Sequence, residues 1–332
     1  MPILTDMGTI PTDSFQEPVE PNLIIAMCRH VFGDDVNVKL ITKLTHGMYN
    51  NTFKIELGGL ASLSSVILKV APSPRLQTHT ENQFMRNEHL AIPYFDAISL
   101  AIPRVLFTDF THELIDRDYM FLSVLEGIPA VDGLYAYERH EWSPFYEQIG
   151  HISRRIHETQ GVKFGPILGP GFGSWSEAFL ASLNDVIVDL EGLGLDAADA
   201  HELMTLAERS TDLFDAVKEP RLLHGDLWTV NLMIDPTASV PTISGVFDFE
   251  RASWGDPYSD WAVLMALRKP GTERDSFWEG LGSRPTSASE LKRQQFYIAR
   301  NAVTSRLEFL RTGQLDKLAG TYSTLSVIVP QL

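Results

Sequence analysis

The first third of the chain alternates between apolar and polar positions with the period of β-strands. Five short segments are rich in β-branched and aromatic residues: 38–45, 52–57, 64–71, 104–110 and 119–125. Turn residues at His46-Gly47 and Gly58-Gly59 separate the first three segments, so we predict that these pair as antiparallel strands. Thr78 and Glu81 have the spacing of a capping box and predict a helix that carries Glu88.

After Glu126-Gly127 the apolar positions follow a helical period instead. N-terminal capping signals mark the helix starts: Ser143-Pro144, Ser174 with Glu177, Asp196, and Ser287 with Glu290. We expect the helix from Asp196 to end before Pro220. We also expect the helix from Ser287 to be the last in the chain and to end at Gly313.

These patterns predict an α+β chain of two unequal lobes. Residues 1–20 hold three prolines and four acids without an apolar period, so we expect a flexible tail. Residues 21–126 predict an N-lobe with a small antiparallel sheet and a helix. Residues 127–332 predict a larger, mostly α-helical C-lobe with a small inserted sheet. A cleft between such lobes is a common place for a cofactor.

Composition narrows the possible functions. The net charge of −16 argues against general nucleic-acid binding, since an acidic surface repels phosphate backbones. It would favour a cationic ligand, although acidic surfaces also serve solubility. The single cysteine, Cys28, excludes an internal disulfide and a cysteine-rich zinc site. We see no secretory signal and no apolar stretch long enough to span a membrane, so we expect a soluble, cytoplasmic protein.

Two motifs in the second half carry the chemistry. The first is His224-Gly225-Asp226-Leu227-Trp228-Thr229-Val230-Asn231, and the second is Val246-Phe247-Asp248-Phe249-Glu250. Phosphoryl transfer needs a carboxylate that faces the acceptor hydroxyl, and hard oxygen ligands that hold Mg²⁺ on the nucleotide phosphates. Asp226 fits the first role, and Asn231 with Asp248 fits the second. The alternative is that these side chains only satisfy backbone groups of turns.

A third feature lies upstream, in the predicted N-lobe. Lys69 stands in a strand that is apolar on both faces, so its ammonium must find an anion or reach water. Glu88 follows on the predicted helix. A lysine on a strand and a glutamate on the next helix hold the α- and β-phosphates in kinases. The order Lys69, Glu88, Asp226, Asn231, Asp248 therefore predicts a nucleotide site.

With these residues in place, the chain resembles the aminoglycoside phosphotransferase and choline kinase family, which has the protein-kinase-like fold. The resemblance covers Lys39 to Arg311 and includes four further stretches: residues 46–53 (loop over the phosphates), 122–127 (inter-lobe hinge), 156–157 and 254–260. It implies that Asp226 is the catalytic base and that Asn231 and Asp248 hold Mg²⁺. It also implies a set of residues that bind ATP or GTP: Lys69, Glu88, Asn50, Ser123 and Leu125. Asp260 would brace the catalytic loop.

Departures from protein kinases point to a small-molecule acceptor. The chain has no G-x-G-x-x-G loop and no A-P-E triplet; H-G-D replaces H-R-D, and Asp248 is followed by Phe-Glu. We expect phosphate transfer to a hydroxyl of an aminoglycoside-like or other antibiotic. Three acids near the second motif, Glu250, Asp256 and Asp260, favour a cationic acceptor. The alternatives are a metabolite kinase of the fructosamine, choline or amino-sugar type, and a nucleotide-binding regulatory module without turnover.

Overall fold

The predicted strands of the first third form one antiparallel sheet. The computed structural model describes residues 15–60, 63–268 and 273–332. The elements of this part of the chain are α1 (Pro21–Phe32), β1 (Asn37–Leu44), β2 (Asn51–Gly58), β3 (Ser65–Val70), α2 (Phe84–Ala91), β4 (Val105–Asp109) and β5 (Tyr119–Ser123). The strand order is β1-β2-β3-β5-β4, which places β3 at the centre.

The two faces of β3 pack against different helices, because successive side chains point to opposite faces. Val66, Leu68 and Val70 pack with α1 in one apolar core. Ile67 lies on the opposite face, in the core that includes Met85 and Ala91 of α2. Lys69 shares the α2 face by the same alternation. This register brings the lysine and the helix of Glu88 together.

The rest of the chain is mostly helical. Its α-helices in the described residues are α3 (Ala130–Gly133), α4 (Ser143–Glu158), α5 (Trp175–Gly192), α6 (Ala198–Glu208), α7 (Thr211–Phe214), α8 (Trp261–Arg268), α9 (Ser276–Leu281), α10 (Ala288–Arg311) and α11 (Leu315–Ile328). Its short strands are β6 (Ile128–Pro129), β7 (Gly165–Pro166), β8 (Arg221–Leu223), β9 (Leu232–Ile234), β10 (Ile243–Val246) and β11 (Ser253–Gly255), which form two three-stranded sheets.

The predicted α+β fold is confirmed, and so are the capping boxes before α5 and α10. Three expectations about individual elements were wrong. Two helices, α6 and α7, replace the single helix expected from Asp196, and α11 follows the helix expected to be last. The helix after Thr78 begins only at Phe84, although the Thr78 amide does donate to Glu81 (3.3 Å).

Part of the expected tail is packed onto the fold. Phe15 and Val19 are each only 7% exposed, and Val19 lies in the core beneath α1. The sequence did not indicate that these two residues are buried, because the apolar residues of this segment follow no regular period. Residues 1–14 of that expected tail lie outside the described residues. Among the helices of the described ranges, none combines the length and the apolar character needed to cross a membrane.

Candidate active site

Lys69 is the centre of a buried ion cluster. Its ammonium donates to Glu88 Oε2 (2.5 Å) on α2 and to Asp248 Oδ1 (2.7 Å), which follows β10. Glu250 Oε2 lies 4.0 Å away. Burial alone would lower the pKa of Lys69, but the carboxylates of Asp248 and Glu88 raise it, so the lysine stays charged. The structure thus joins residues that lie 179 positions apart in the sequence.

Asp248 is held beside Asn231 by backbone pairing. Strands β9 and β10 are antiparallel, and the Phe247 amide donates to the Asn231 carbonyl (3.1 Å). Asp248 itself has a φ of 69°, in the left-handed region that few residues other than glycine adopt. From this turn, Oδ1 of Asp248 accepts from the Lys69 ammonium. Burial would raise the pKa of Asp248, but the ammonium of Lys69 holds it below its usual value.

Asp226 and Asn231 form the second half of the site. The Asn231 amide nitrogen donates to Oδ2 of Asp226 (2.9 Å) and to its backbone carbonyl (2.8 Å), which closes the loop between β8 and β9. Burial raises the pKa of Asp226 to about 7, with the nearby charge of Asp248 adding to the rise and Arg251 opposing it. A carboxylate with such a pKa can exchange a proton near neutral pH.

Asp260 anchors the backbone that precedes Asp226. Its carboxylate is 1% exposed and accepts from four donors: the amides of Gly225 (2.9 Å), His224 (3.2 Å) and Trp261 (2.9 Å), and Nε2 of His157 (2.9 Å). Burial would raise the pKa of Asp260, but the hydrogen bond from His157 lowers it. The predicted bracing contact is therefore present in the geometry.

Gly225 occupies a position that a larger residue could not take. Its φ is +78°, and a Cβ built there would lie 2.3 Å from the carbonyl oxygen of Arg251. The sequence H-G-D thus allows the segment after Asp248 to pass close behind Asp226. This explains in steric terms why position 225 is a glycine in this chain.

The remaining predicted nucleotide residues lie in different surroundings. Asn50 is buried and donates to Glu250 Oε2 (2.8 Å), so it belongs to the ion cluster. Ser123 ends β5, where it exchanges hydrogen bonds with Arg104. Leu125 is half-buried at the connection between β5 and β6, with its Cδ1 close to Gly245. The structure thus gathers Asn50 with Lys69 and leaves Ser123 and Leu125 at the connection between the lobes.

Oxygen atoms suited to Mg²⁺ remain in this cluster. Asn231 uses its amide nitrogen on Asp226, and its Oδ1 accepts no hydrogen bond from the residues that the structure describes. Asp248 uses Oδ1 on Lys69, and its side chain is 26% exposed. Mg²⁺ prefers carboxylate and carbonyl oxygens and keeps several waters. The two residues therefore fit the predicted metal.

Comparison with known proteins decides the family. The profile of the phosphotransferase enzyme family matches residues 40–291, about three quarters of the chain. This chain belongs to the phosphotransferase enzyme family. It is accordingly a phosphotransferase that acts on a hydroxyl group, as the sequence predicted. The search of curated proteins finds no matching relative.

Solved structures show the same fold at low identity. A thermostable mutant of aminoglycoside phosphotransferase APH(4)-Ia, in complex with ADP and hygromycin B, is 20% identical, with a TM-score of 0.63 over 92% of this chain and 97% of that one. The GDP and kanamycin complex of an APH(2″) enzyme is 15% identical (TM-score 0.61; 93% and 98% covered). A putative aminoglycoside phosphotransferase from Ralstonia eutropha JMP134 is also 15% identical (TM-score 0.61; 94% and 97%).

Sequence reasoning missed one residue that shapes the site of this phosphotransferase. Asn87 is 6% exposed, next to Glu88 on α2. Its amide nitrogen donates to the carbonyls of Glu250 and Ala252 (both 2.9 Å), and its Oδ1 accepts from the Leu168 amide (2.8 Å). All three partners lie at least 81 positions away, so no local pattern could have identified it.

The three acids that were expected to favour a cationic acceptor have partners within the protein. Glu250 accepts from Asn50 near Lys69, Asp256 accepts from Arg293 (2.9 Å) and Tyr297 (2.8 Å), and Asp260 holds the catalytic loop. Each is at most 6% exposed. These three residues therefore give no support to a cationic acceptor, because their charges are already compensated or buried.

Proposed function

We propose that this chain is a Mg²⁺-dependent kinase that transfers the γ-phosphate of ATP or GTP to a hydroxyl of a small molecule. The observation that carries the proposal is the convergence of Lys69, Glu88 and Asp248 in one cluster, with Asn231 and Asp226 next to it. These groups supply a cation for phosphates, oxygens for a metal and a carboxylate near an acceptor. Phosphoryl transfer depends mainly on such positioning and charge compensation.

Each residue has a proposed role. Lys69, held by Glu88, binds the α- and β-phosphates, and Asn50 belongs to the loop that covers them. The connection at Ser123 and Leu125 offers main-chain groups to the base. Asn231 and Asp248 would hold Mg²⁺, which neutralises charge on the transferred phosphoryl group when it is bound.

Asp226 orients the acceptor hydroxyl. In the transfer, the hydroxyl oxygen bonds to the γ-phosphorus while the bond from that phosphorus to the β–γ bridging oxygen breaks. Asp226 accepts the hydroxyl proton late in this step, which suits a carboxyl group whose pKa of about 7 lies near the working pH. The nucleoside diphosphate leaves with the bridging oxygen.

The acceptor that we propose to test first is an aminoglycoside-type antibiotic. Two of the structures with this fold contain such compounds, hygromycin B in one and kanamycin in the other. A metabolite such as choline, an amino sugar or a fructosamine is the second possibility. A panel assay with ATP and GTP, following nucleoside diphosphate release with and without each acceptor, separates antibiotic inactivation from metabolism.

The matched variants are Asp226→Asn and Asp235→Asn. Asp235 is an aspartate on the exposed turn after β9, bonded to Thr237, so it controls for the loss of one carboxylate. We expect Asp226→Asn to lose nearly all turnover while it still binds nucleotide, and Asp235→Asn to keep wild-type turnover. Full activity of Asp226→Asn would refute the proposed mechanism. Nucleotide binding by the wild type without transfer to any acceptor would favour a regulatory module instead.

A further inference from the structure

The loop between β1 and β2, residues 45–50, is held in shape from outside. It contains one glycine, Gly47, so it lacks the several glycines that let a glycine-rich loop bring its backbone amides close to phosphates. Gln16 Nε2 donates to the carbonyls of Gly47 (3.0 Å) and Asn50 (3.1 Å), which lie three positions apart in this loop. A single amide group therefore bridges the second half of the loop.

The segment that carries this glutamine, residues 15–17, is itself fastened to the sheet; we refer to it as the strap. The carbonyl of Glu17 accepts from Asn51 Nδ2 (3.0 Å) at the start of β2 and from Arg117 Nη1 (3.2 Å) before β5. The Glu17 side chain pairs with Arg75. These contacts place Gln16 against the β1–β2 loop.

The strap also contacts the C-lobe. Phe15 is 7% exposed, with its ring 5.8 Å from Tyr49 of the loop, and the Arg311 guanidinium lies 3.8 Å from the Phe15 ring centre. Arg311 ends α10 and pairs with Glu81 (2.5 Å), whose carbonyl accepts from the Tyr49 hydroxyl (2.9 Å). Arg311 thus connects the C-terminal helices with the loop through one stacked ring and one ion pair.

We propose that Gln16 is a positioning residue for the nucleotide, and that the Phe15–Arg311 contact couples the position of the β1–β2 loop to the C-lobe. The inference rests on the proposed function, because it takes the loop to cover the phosphates. Asn50 joins the two arrangements: its carbonyl accepts from Gln16, while its side chain donates to Glu250 in the ion cluster of Lys69. Both the strap and Arg311 lie outside the residues 40–291 that match the family profile.

The test compares Gln16→Ala with Gln148→Ala. Gln148 is the control because its Nε2 also donates to two carbonyls, those of Pro144 (2.9 Å) and Pro241 (2.8 Å), on the C-lobe. Its Oε1 also accepts from the Ile243 amide (2.9 Å), so its replacement removes one bond more than that of Gln16 and is a stringent control for destabilisation. Binding of MgADP and of a non-hydrolysable ATP analogue is measured by calorimetry. The kcat and the KM for the nucleotide are measured from the release of nucleoside diphosphate. We expect Gln16→Ala to weaken nucleotide affinity on the order of tenfold with kcat little changed, and Gln148→Ala to bind as the wild type does.

Phe15 and Arg311 are tested as a pair. We expect Phe15→Ala and Arg311→Ala each to raise the nucleotide KM, and the double variant to raise it no further than the stronger single variant, since both remove one contact. Arg311→Lys keeps the charge opposite Glu81 but loses the planar guanidinium on the ring, so it should show only part of the effect.

The outcomes distinguish this inference from the proposed function. If the wild type binds no nucleotide, the proposed function fails. If the wild type binds nucleotide and Gln16→Ala binds it equally well, the role of the strap is refuted. Equal losses in Gln16→Ala and Gln148→Ala would also refute it, because the effect would then follow from general destabilisation. Additive losses for Phe15→Ala and Arg311→Ala would refute the coupling.

Discussion

Replacement of Asp260 by asparagine tests how the catalytic loop is held. In the wild type, Oδ1 accepts from the amides of Gly225 and Trp261, and Oδ2 accepts from the His224 amide and from His157. Asparagine keeps one oxygen for two of these donors and turns an NH₂ group toward the other two. Hydrogen bonds to a charged group contribute about 1.5–3 kcal/mol each, so the loss of two costs about 3–6 kcal/mol.

This cost is measurable without unfolding the protein. Native stabilities run from about 5 to 15 kcal/mol, so Asp260→Asn should still fold, with a Tm lower by roughly 6–24 °C on the scale of about 2–4 °C per kcal/mol. Its functional effect should be larger than its stability suggests. Without anchored amides at His224 and Gly225, Asp226 shifts, and a displacement of about 1 Å can cost on the order of a hundredfold in rate.

Asp256→Asn is the matched control. Asp256 is a buried aspartate that accepts from Arg293, Tyr297 and the Tyr258 amide, away from the backbone of the catalytic loop. For both variants the Tm is measured by calorimetry, and kcat by Mg²⁺-dependent release of nucleoside diphosphate at least about 10 °C below each Tm. We expect both to lose stability and only Asp260→Asn to lose kcat. Equal kcat losses, or an active Asp260→Asn with a lowered Tm, would refute the reasoning.

Three further predictions follow from the site. Gly225→Ala should abolish activity and lower the free energy of unfolding. The loss should exceed the roughly 1–2 kcal/mol that a left-handed backbone costs an alanine, because the new Cβ would lie 2.3 Å from the Arg251 carbonyl oxygen; a urea midpoint equal to that of the wild type would contradict this. Lys69→Met should abolish nucleotide binding in calorimetry. It should also lower the free energy of unfolding by about 3–5 kcal/mol, since the carboxylates of Glu88 and Asp248 lose their cation. The lowered pKa of Asp260 gives stability that is complete above its ordinary value of 3.8 and is lost as the pH falls through the folded value. The stability gap between the wild type and Asp260→Asn should therefore be constant from pH 7 to 5 and narrow below about pH 4; a gap that widens in acid would contradict the sign.

The main site residues could be predicted because each belongs to a short local pattern. Lys69 stood out as a charge within an apolar strand, and Asp226 and Asn231 stood in one motif whose spacing a loop can close. The pairing of Lys69 with Glu88 was predicted from the order of a strand lysine and a helix glutamate that kinases use, and the structure shows the bond between them. A site residue can be predicted from a single sequence when both its side-chain chemistry and its spacing within a short motif point to the same role.

Other contacts could not be predicted because their partners are distant. Nothing in the sequence around Asn87 distinguishes it from a solvent-exposed helix residue, yet in the structure it donates to the carbonyls of Glu250 and Ala252. Gln16 lay in a segment whose composition suggested disorder. The inference of a cationic acceptor failed for Glu250, Asp256 and Asp260 because the net charge records how many acids are present and not how they are paired.

The bonds of Asn87 also bear on how the cleft can open. The Asn87 side chain joins α2 to the segment after Asp248 and to Leu168, so three hydrogen bonds fasten this helix directly to the larger lobe. The contact between His46 and Asp132, by contrast, is solvent-exposed. Exposed ion pairs contribute little to stability, so a widening of the cleft should break this contact before the buried bonds of Asn87, and α2 should keep Glu88 against the C-lobe.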